Sequence, residues 1–326
     1  MSVMALHAED PYPSRDDGAV RRIERREPVL HGGREASGPL TQDQLHVYES
    51  RGFLVVPGVF SALEVAAFKA AATALCAAAD PNNPRVVREP GGQDIRSIFA
   101  VHQKDSPLAN LTGDARLVAR ARQILGGPIG IHQSRVNFKP GLVGREFGWH
   151  SDFETWHAED GMPRMQALSM SVLLSDNHTC NGPTLMIPGS HTTFVSCPGH
   201  TPDQHYLQSL RRQEYGVPDH DSIRDLVRAA ISPDYPLGIA EAIGSAGSVL
   251  IFDCNLLHGS AGNLTPYERT NVFIVYSALT NALGRPFGAF EPRPDYIAAA
   301  PLLPPPPSSP LPLAAPLPHN FYMPPN

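Results

Sequence analysis

The sequence predicts an α+β fold in which helices precede a β-sandwich or β-barrel. Two helix-start patterns occur within residues 41–79. From about residue 95 onwards, short apolar runs are separated by Gly, Pro, Asn and Asp, as in proteins built from many short strands. The chain has 326 residues, 42% hydrophobic and 18% charged, which is enough to bury the core of one large or two small domains.

The two predicted helices begin at capping boxes. Thr41 is followed by Gln44, and Ser61 by Glu64, so a hydroxyl stands three residues before an amide or carboxylate side chain. Such a pair satisfies two backbone N–H groups at a helix start, because each side chain accepts from the other residue's backbone. Between the helices, residues 52–58 form an apolar run bounded by glycine and proline, which predicts a short strand.

The region after the helices contains four apolar runs and one helical insert. Each run is bounded by turn-forming residues, as expected of strands in a layered fold. The predicted strands are 129–138, 167–174, 248–252 and 271–277, and the insert is 204–230.

The chain is expected to divide into a polar arm at 1–38, a folded domain at 39–300 and a proline-rich tail at 301–326. The basic run 21–27 in the arm predicts a solvated segment or a short helix. Eleven of the last 26 residues are proline, which is incompatible with a helix or an inner strand. The tail is therefore predicted to be a mobile polyproline II segment.

Composition and charge argue against several classes of function. The net charge is −6 and the pI is near 6.1, so a nucleic-acid partner is not expected. No run of 18 apolar residues is present, so no membrane-spanning helix is expected. The N-terminal residues lack the apolar core of a secretion signal, and cysteines without a CxxC pair fit the reducing cytoplasm. These are Cys76, Cys180, Cys197 and Cys254.

The densest group of candidate metal ligands lies at 147–157, which reads FGWHSDFETWH. If this run is a strand, His150 and Asp152 point the same way and can bind one ion. His258, just after the predicted strand 248–252, can supply a third ligand. Two histidines and one carboxylate form the facial arrangement of non-haem Fe(II), which leaves three coordination positions open. A structural role for any one of the 14 histidines is the alternative.

An arginine and a polar strand face predict a pocket beside these ligands. Arg269 lies 11 residues after His258, across turn residues, so it can return on a neighbouring strand and bind a carboxylate through two nitrogens. Alternate residues of 131–139 are polar, which predicts one hydrogen-bonding face; a solvated outer strand is the alternative. That face carries Gln133, Arg135, Asn137 and Lys139.

The ligand pattern resembles that of the Fe(II)/2-oxoglutarate oxygenases of the phytanoyl-CoA dioxygenase superfamily. A longer and more specific run, FGWHSDFETWHAEDGMP at 147–163, resembles the hallmark segment of the ectoine hydroxylases, one group of that superfamily. The resemblance covers about residues 10–300, and Gln166, where the group usually has Arg, departs from it without touching the ligands. Further matching segments are 10–15, 38–40, 52–53, 181–183, 187–191 and 253–255.

This resemblance implies a fold, a reaction and a set of cofactors. The fold would be a double-stranded β-helix, or jelly roll, with flanking N-terminal helices. His150, Asp152 and His258 would bind Fe(II) and form the catalytic centre, with 2-oxoglutarate as cosubstrate and O2 as oxidant. The reaction would be hydroxylation of the compatible solute L-ectoine to 5-hydroxyectoine, with release of succinate and CO2. The family also implies a homodimer.

The same resemblance and the chemistry of the reactants imply which residues contact ectoine and which contact 2-oxoglutarate. Ectoine combines a delocalised amidinium cation with a carboxylate, so its site needs an aromatic face, a positive charge and a hydrogen-bond acceptor. Trp156, Arg293 and Gln133 are expected to supply these, with Arg135 and Thr155 as further substrate contacts. The expected contacts to 2-oxoglutarate are Lys139, Asn137, Ser260 and Arg269.

Two other functions stay open at this point. The first is an oxygenase of the same superfamily that hydroxylates another small amino-acid-like substrate. The second is a non-catalytic jelly-roll binding protein with a structural metal. Halogenases related to this superfamily replace the carboxylate ligand by a small residue, so the presence of Asp152 favours hydroxylation.

Overall fold

A computed structural model describes residues 10–16, 18–103, 106–204, 206–211 and 213–307. Within these residues the longest helix has 16 residues, and none is both long enough and apolar enough to cross a bilayer. The helices are α1 (Gln42–Arg51), α2 (Ala62–Ala77), α3 (Pro107–Thr112), α4 (Ala115–Leu125), α5 (Asp152–Asp160), α6 (Tyr206–Ser209) and α7 (His220–Ala229).

The strands form two main antiparallel sheets, which confirms the predicted jelly roll with N-terminal helices. The strands are β1 (Arg22–Glu24), β2 (Phe53–Val56), β3 (Val86–Arg88), β4 (Ile95–Phe99), β5 (Ile129–Lys139), β6 (Phe147–His150), β7 (Ala167–Leu173), β8 (Thr184–Met186), β9 (Thr193–Val195), β10 (Ala240–Glu241), β11 (Val249–Asp253), β12 (His258–Ser260) and β13 (Arg269–Ala278). The larger sheet has the order β2-β11-β7-β13-β5-β4-β3, and the smaller has the order β10-β8-β12-β6.

Both predicted capping boxes are present at the starts of α1 and α2. The Thr41 hydroxyl accepts from the Gln44 backbone N–H at 3.2 Å, and the Gln44 side chain accepts from the Thr41 N–H at 3.0 Å. Ser61 and Glu64 make the same reciprocal pair. These caps satisfy N–H groups that no earlier turn can satisfy, so each helix begins where the sequence predicts.

The main hydrophobic core lies between the larger sheet and the helices. Leu45, Phe68 and Ile124 on the helices belong to the same buried cluster as Val136 and Ile274 on the sheet. Burying this face of the sheet under helices leaves the opposite face of β5 and β13 directed into the jelly roll. The polar residues of β5 therefore point into the interior of the fold.

The basic run near the N-terminus differs from the sequence prediction, whereas the helical insert agrees with it. The basic run 21–27 contains strand β1, which pairs with β9, so the expected solvated segment or short helix is wrong. Arg25 in this run forms a 2.8 Å ion pair with Asp253, and both side chains are at most 4% exposed. The predicted helical insert 204–230 is confirmed and contains two helices, α6 and α7.

The first residues of the proline-rich tail contact the domain. The Ile131 N–H donates to the Leu303 carbonyl at 2.9 Å in an isolated bridge. Pro306 lies against Gly113, where an added Cβ would stand 1.8 Å from the Pro306 carbonyl oxygen. The rest of the predicted mobile tail, residues 308–326, lies outside the described part of the chain.

Two truncations of the tail are expected to differ in stability, because only one of them removes the residues that contact the domain. A chain that ends at Ala300 loses the bridge to Ile131 and the contact with Gly113, so its melting temperature should fall by about 2–6 °C. A chain that ends at Pro307 keeps both contacts and should retain the melting temperature and activity of the full chain. Differential scanning calorimetry of the two chains checks this, and equal melting temperatures would contradict the attachment.

Candidate active site

Three side chains from different elements bring potential metal ligands together. His150 ends β6, His258 begins β12, and the two residues are directly paired in the smaller sheet. Asp152 is the first residue of α5, and its Oδ1 lies 3.7 Å from Nε2 of His150 and 3.9 Å from Nε2 of His258. One ligand atom from each lies within 4.8 Å of the others, which is close enough for all three to reach one ion. The predicted facial triad is therefore present.

Hydrogen bonds orient both histidines for metal binding. Nδ1 of His150 lies 2.9 Å from the Gly148 carbonyl oxygen, and Nδ1 of His258 lies 3.0 Å from that of Leu256. Because a carbonyl only accepts, each Nδ1 carries the proton and each Nε2 presents its lone pair to the cluster. Burial, followed by the charge of His150, lowers the pKa of His258 to about 4, which keeps this ring neutral as a metal ligand requires.

Asp152 is held as a carboxylate at the start of α5. Burial would raise its pKa, but the neighbouring His258 and His150 rings and the Arg135 guanidinium lower it below the usual value. The Ser169 hydroxyl donates to its Oδ2 at 3.0 Å and so leaves Oδ1 directed at the histidines. Two imidazole nitrogens and one carboxylate oxygen fit a divalent transition-metal ion such as Fe(II).

The expectation that His150 and Asp152 share one strand is wrong. The strand ends at His150, and Ser151 caps α5 by accepting from the Glu154 N–H. Asp152 faces the two histidines from the first turn of a helix, and Trp156 follows it by one helical turn. The ligands still converge, because the helix begins two residues after His150, which is paired with His258. Trp156 lies on the same side of the helix as Asp152, since residues one turn apart share a face.

All twelve predicted site residues line one cavity, which confirms their expected proximity. Gln133, Arg135, Asn137 and Lys139 face it from β5, and Arg269 is paired with Lys139 in the larger sheet. Trp156 and Thr155 face it from α5. The remaining predicted residues in the lining are His150, Asp152, His258, Ser260 and Arg293.

One end of the cavity gathers positive charge without a carboxylate partner. Among the described residues, Arg269 forms no ion pair and its buried Nε has no hydrogen-bond partner, while another of its nitrogens donates to Asn137 at 3.0 Å. Lys139 donates to the Ser260 hydroxyl at 2.7 Å. Burial, with repulsion from Arg269 and Arg96, lowers the pKa of Lys139 to about 6, and burial with Arg96 lowers that of Arg269 to about 10. A buried guanidinium with an unpartnered Nε, beside an amine that a bound anion would help to protonate, fits an anionic ligand.

Another part of the cavity lining combines Trp156 with polar groups, two of which already have partners. Trp156 is 2% exposed. Gln133 donates to the Ile297 carbonyl at 2.9 Å and accepts from Arg135. Arg293 donates to both oxygens of Asp160 at 2.8 and 2.6 Å, and its side chain is 8% exposed. Arg135 instead lies over the rings of Phe99 and Phe273 and has no carboxylate partner in the described chain.

Several lining residues were missed by the sequence analysis. Phe273 follows Arg269 by four residues on β13, so strand alternation could have placed both on one face. The contribution of α6 has no comparable local signal, because its position over the cavity depends on distant packing. The missed residues include Arg96, Phe99, Phe147, Tyr206 and Phe273.

Comparison with known proteins agrees with this site. The profile of the family Phytanoyl-CoA dioxygenase (PhyH) matches residues 48–271. An ectoine dioxygenase of Sphingopyxis alaskensis is 48% identical over 291 residues, covering 89% of this chain and 93% of that protein. An ectoine dioxygenase of Halomonas elongata is 46% identical over 296 residues, covering 90% of this chain and 87% of that protein.

Solved structures of a related protein are also similar to this chain. A crystal structure of EctD from S. alaskensis with 2-oxoglutarate and 5-hydroxyectoine has a TM-score of 0.78 and 45% identity, covering 89% of this chain and 94% of that one. The same protein with bound Fe has a TM-score of 0.76 and 44% identity, covering 89% and 94%. Because the family profile covers more than half of the chain and these relatives match nearly all of it, the chain belongs to the phytanoyl-CoA dioxygenase family, within its ectoine dioxygenase group.

Proposed function

We propose that the chain is an Fe(II)- and 2-oxoglutarate-dependent dioxygenase that hydroxylates L-ectoine to 5-hydroxyectoine. The other substrate is O2, and the other products are succinate and CO2. One observation carries the proposal: the His150–Asp152–His258 cluster and Arg269, whose Nε has no hydrogen-bond partner among the described residues, line the same cavity. The ectoine dioxygenase relatives and the ligands of the S. alaskensis structure support this choice of reactants.

The residues of the cluster fit Fe(II). Bound iron, together with 2-oxoglutarate and O2, would supply the oxidising power that replaces a C–H bond by C–OH. Nε2 of His150, Nε2 of His258 and Oδ1 of Asp152 would hold the ion on one side. The Gly148 and Leu256 carbonyls and the Ser169 hydroxyl fix the orientation of these ligands.

The cationic end of the cavity fits the distal carboxylate of 2-oxoglutarate. Arg269 offers its unpartnered Nε, and Lys139 and the Ser260 hydroxyl stand beside it. Asn137 orients Arg269 by accepting one of its N–H groups. A dicarboxylate bound here would neutralise buried positive charge while its keto acid end reaches towards the metal ligands.

The substrate end fits a small zwitterion. Trp156 offers an aromatic face for the amidinium cation, and Gln133 offers a side-chain amide to the ring. We propose Arg293 as the holder of the ectoine carboxylate, with Arg135 as a second positive charge and Thr155 as a hydroxyl contact. Since Arg293 is already paired with Asp160, the substrate carboxylate would share this guanidinium with that side chain.

Substrate-dependent turnover tests the proposed reaction. We expect ectoine to drive release of CO2 from 2-oxoglutarate in one-to-one ratio with 5-hydroxyectoine, measured by mass spectrometry with Fe(II) and O2 present. A panel of small amino-acid-like zwitterions serves as the comparison. Faster turnover of another zwitterion would favour an oxygenase with a different substrate, and absence of CO2 release with every substrate would favour a binding protein.

Replacing Trp156 by alanine is expected to weaken ectoine binding selectively. A cation over Trp gains about 0.5–2 kcal/mol, so the dissociation constant should rise about 2- to 30-fold. Anaerobic calorimetry, with ectoine and 2-oxoglutarate titrated separately, measures this. Trp149→Ala is the matched control, because the other tryptophan packs in a cluster with Ile187 and Leu257. Equal loss of ectoine and 2-oxoglutarate binding in Trp156→Ala would show that this residue supports the fold instead.

The homodimer stays a prediction from the family resemblance, and the cytoplasmic location stays a prediction from the cysteine pattern and the N-terminal residues. Sedimentation equilibrium of the full chain distinguishes a dimer of 35.2 kDa subunits from a monomer. Fractionation of producing cells tests the location.

A further inference from the structure

Helix α5 links the proposed iron site to the proposed substrate site. It begins at Asp152 and carries Trp156 one turn later. The same short helix contains three buried carboxylates, Glu154, Glu159 and Asp160, all at most 2% exposed. Buried carboxylates are costly unless cations compensate them, so the groups that pair with them also determine where the helix lies.

Arg15 is the cation that joins the two ends of this helix. Its Nε and one terminal nitrogen donate to the two carboxylate oxygens of Glu154 at 3.0 and 2.8 Å. Its other terminal nitrogen donates to Glu159, and also to the Thr201 hydroxyl at 2.9 Å. The side chains of Arg15, Glu154 and Glu159 are all at most 2% exposed. A planar guanidinium with such a fork geometry fixes both partners in direction as well as in distance.

The surrounding chain holds Arg15 in place. Its backbone has a φ of 57°, in the left-handed region that a non-glycine residue seldom adopts. The Arg15 N–H donates to the Cys197 carbonyl at 2.8 Å. Gly216 covers the ion pair, since an added Cβ there would stand 2.4 Å from Glu154 and 2.6 Å from Arg15. The fold thus maintains an unfavourable backbone conformation and a close glycine contact around this guanidinium.

Glu159 connects Arg15 to the arginine proposed to bind the substrate carboxylate. One oxygen of Glu159 accepts from Arg15, and its other oxygen lies 3.5 Å from Nε of Arg293. Both Glu159 and Arg293 line the cavity. If Arg15 were removed, Glu159 would be drawn fully to Arg293 and would compete with the carboxylate of a substrate.

We infer that Arg15 is a positioning residue for the substrate side of the active site. It holds α5 so that Trp156 faces the cavity, and it shares the charge of Glu159 so that Arg293 can receive a carboxylate. Arg15 precedes the first residue matched by the family profile, residue 48, so it belongs to the N-terminal segment and not to the jelly-roll strands. The consequence for ectoine rests on the proposed function, whereas the position of Trp156 does not.

Fluorescence of the full chain without metal or substrate tests the position of Trp156. The chain has two tryptophans, so Trp149→Phe leaves Trp156 as the only one. In this background, Arg15→Gln is expected to shift the Trp156 emission to longer wavelength and to raise its quenching by acrylamide several-fold. Arg15→Lys keeps the positive charge but loses the planar set of N–H donors, so its changes in Trp156 emission and quenching should be smaller than those of Arg15→Gln.

Arg25→Gln is the matched control for stability. It breaks another buried ion pair of the N-terminal segment, Arg25–Asp253, whose partner lies on β11 and not on α5. Its melting temperature should fall as in Arg15→Gln, while the Trp156 emission and quenching should not change. A change of equal size in both variants would overturn the positioning role and leave a general loss of stability.

Steady-state kinetics test the effect on the substrate. In Arg15→Gln the KM for ectoine is expected to rise about 10-fold, because Glu159 loses its ion pair with Arg15 and competes more strongly for Arg293, while the KM for 2-oxoglutarate stays within about two-fold. Arg15→Lys should recover part of this rise. An unchanged KM for ectoine, or equal rises for both compounds, would overturn the inference. If the unaltered chain does not turn over ectoine but Arg15→Gln exposes Trp156, the proposed function fails and the positioning role stands.

Discussion

Replacing His150 or His258 by alanine is expected to abolish turnover and to remove iron from the protein. Each imidazole supplies one of three ligand atoms, all within 4.8 Å of one another. Loss of an outer partner of a metal ligand already costs about 10- to 100-fold in metal affinity, so loss of the ligand itself should cost more. Asp152→Ala should also be inactive, because it removes the anionic ligand. Inductively coupled plasma mass spectrometry of anaerobically loaded protein measures the iron.

Two further variants make this prediction specific. His46→Ala changes an exposed histidine on α1 and should keep full activity and iron content. Ser169→Ala removes the hydroxyl that donates to Asp152, so iron affinity should fall about 10- to 100-fold without loss of the ligand set. Full activity in His150→Ala or His258→Ala would show that the metal, if any, is bound elsewhere.

The parts of the fold predicted best are those determined by neighbouring residues. Capping boxes at Thr41 and Ser61 located α1 and α2, because the cap forms within four residues of chain. Alternation along β5 placed Gln133 and Lys139 on the cavity side, since side chains of a strand alternate between its two faces. These features depend on local geometry, so one sequence is sufficient to recognise them.

The ligand triad was predicted correctly from a local structure that was wrong. His150 and Asp152 were expected on one strand, yet Ser151 ends the strand and caps a helix between them. A separation of two residues can bring side chains to one ion in either case, so spacing alone does not distinguish the two. Ser151 followed three residues later by Glu154 was the available signal for a helix start.

Long-range ion pairs were beyond the reach of the sequence. The pairing of Arg15 with Glu154 joins residues 139 positions apart, and that of Arg293 with Asp160 joins residues 133 apart. An arginine in a polar segment reads as solvated unless the tertiary structure supplies a buried partner. The N-terminal arm was therefore expected to be polar and solvated, although it supplies Tyr12 and Arg15 to the buried surroundings of α5.

Replacing Arg269 by alanine is expected to weaken 2-oxoglutarate binding by about 10- to 150-fold, because a charge-assisted hydrogen bond is worth roughly 1.5–3 kcal/mol. Iron content should be unchanged, since Arg269 is not a ligand of the metal cluster. Anaerobic titration of Fe(II)-loaded protein with 2-oxoglutarate measures the affinity. Arg269→Lys keeps the positive charge but loses the paired N–H donors of the guanidinium, so its affinity for 2-oxoglutarate should lie between those of the unaltered chain and Arg269→Ala. Arg122→Ala, at an exposed position on α4, is the control.

Lys139 affects the outcome of this test, because its protonation depends on the charge of Arg269. Repulsion from Arg269 helps to lower the pKa of Lys139 to about 6, so Arg269→Ala should raise that pKa and leave Lys139 more fully protonated near pH 7. The remaining ammonium can then bind the carboxylate and conceal part of the loss. Arg269→Ala combined with Lys139→Met should therefore lose more affinity than the sum of the two single effects in kcal/mol. Strictly additive losses would mean that the cations act independently, and unchanged affinity in all three variants would place the distal carboxylate elsewhere in the cavity.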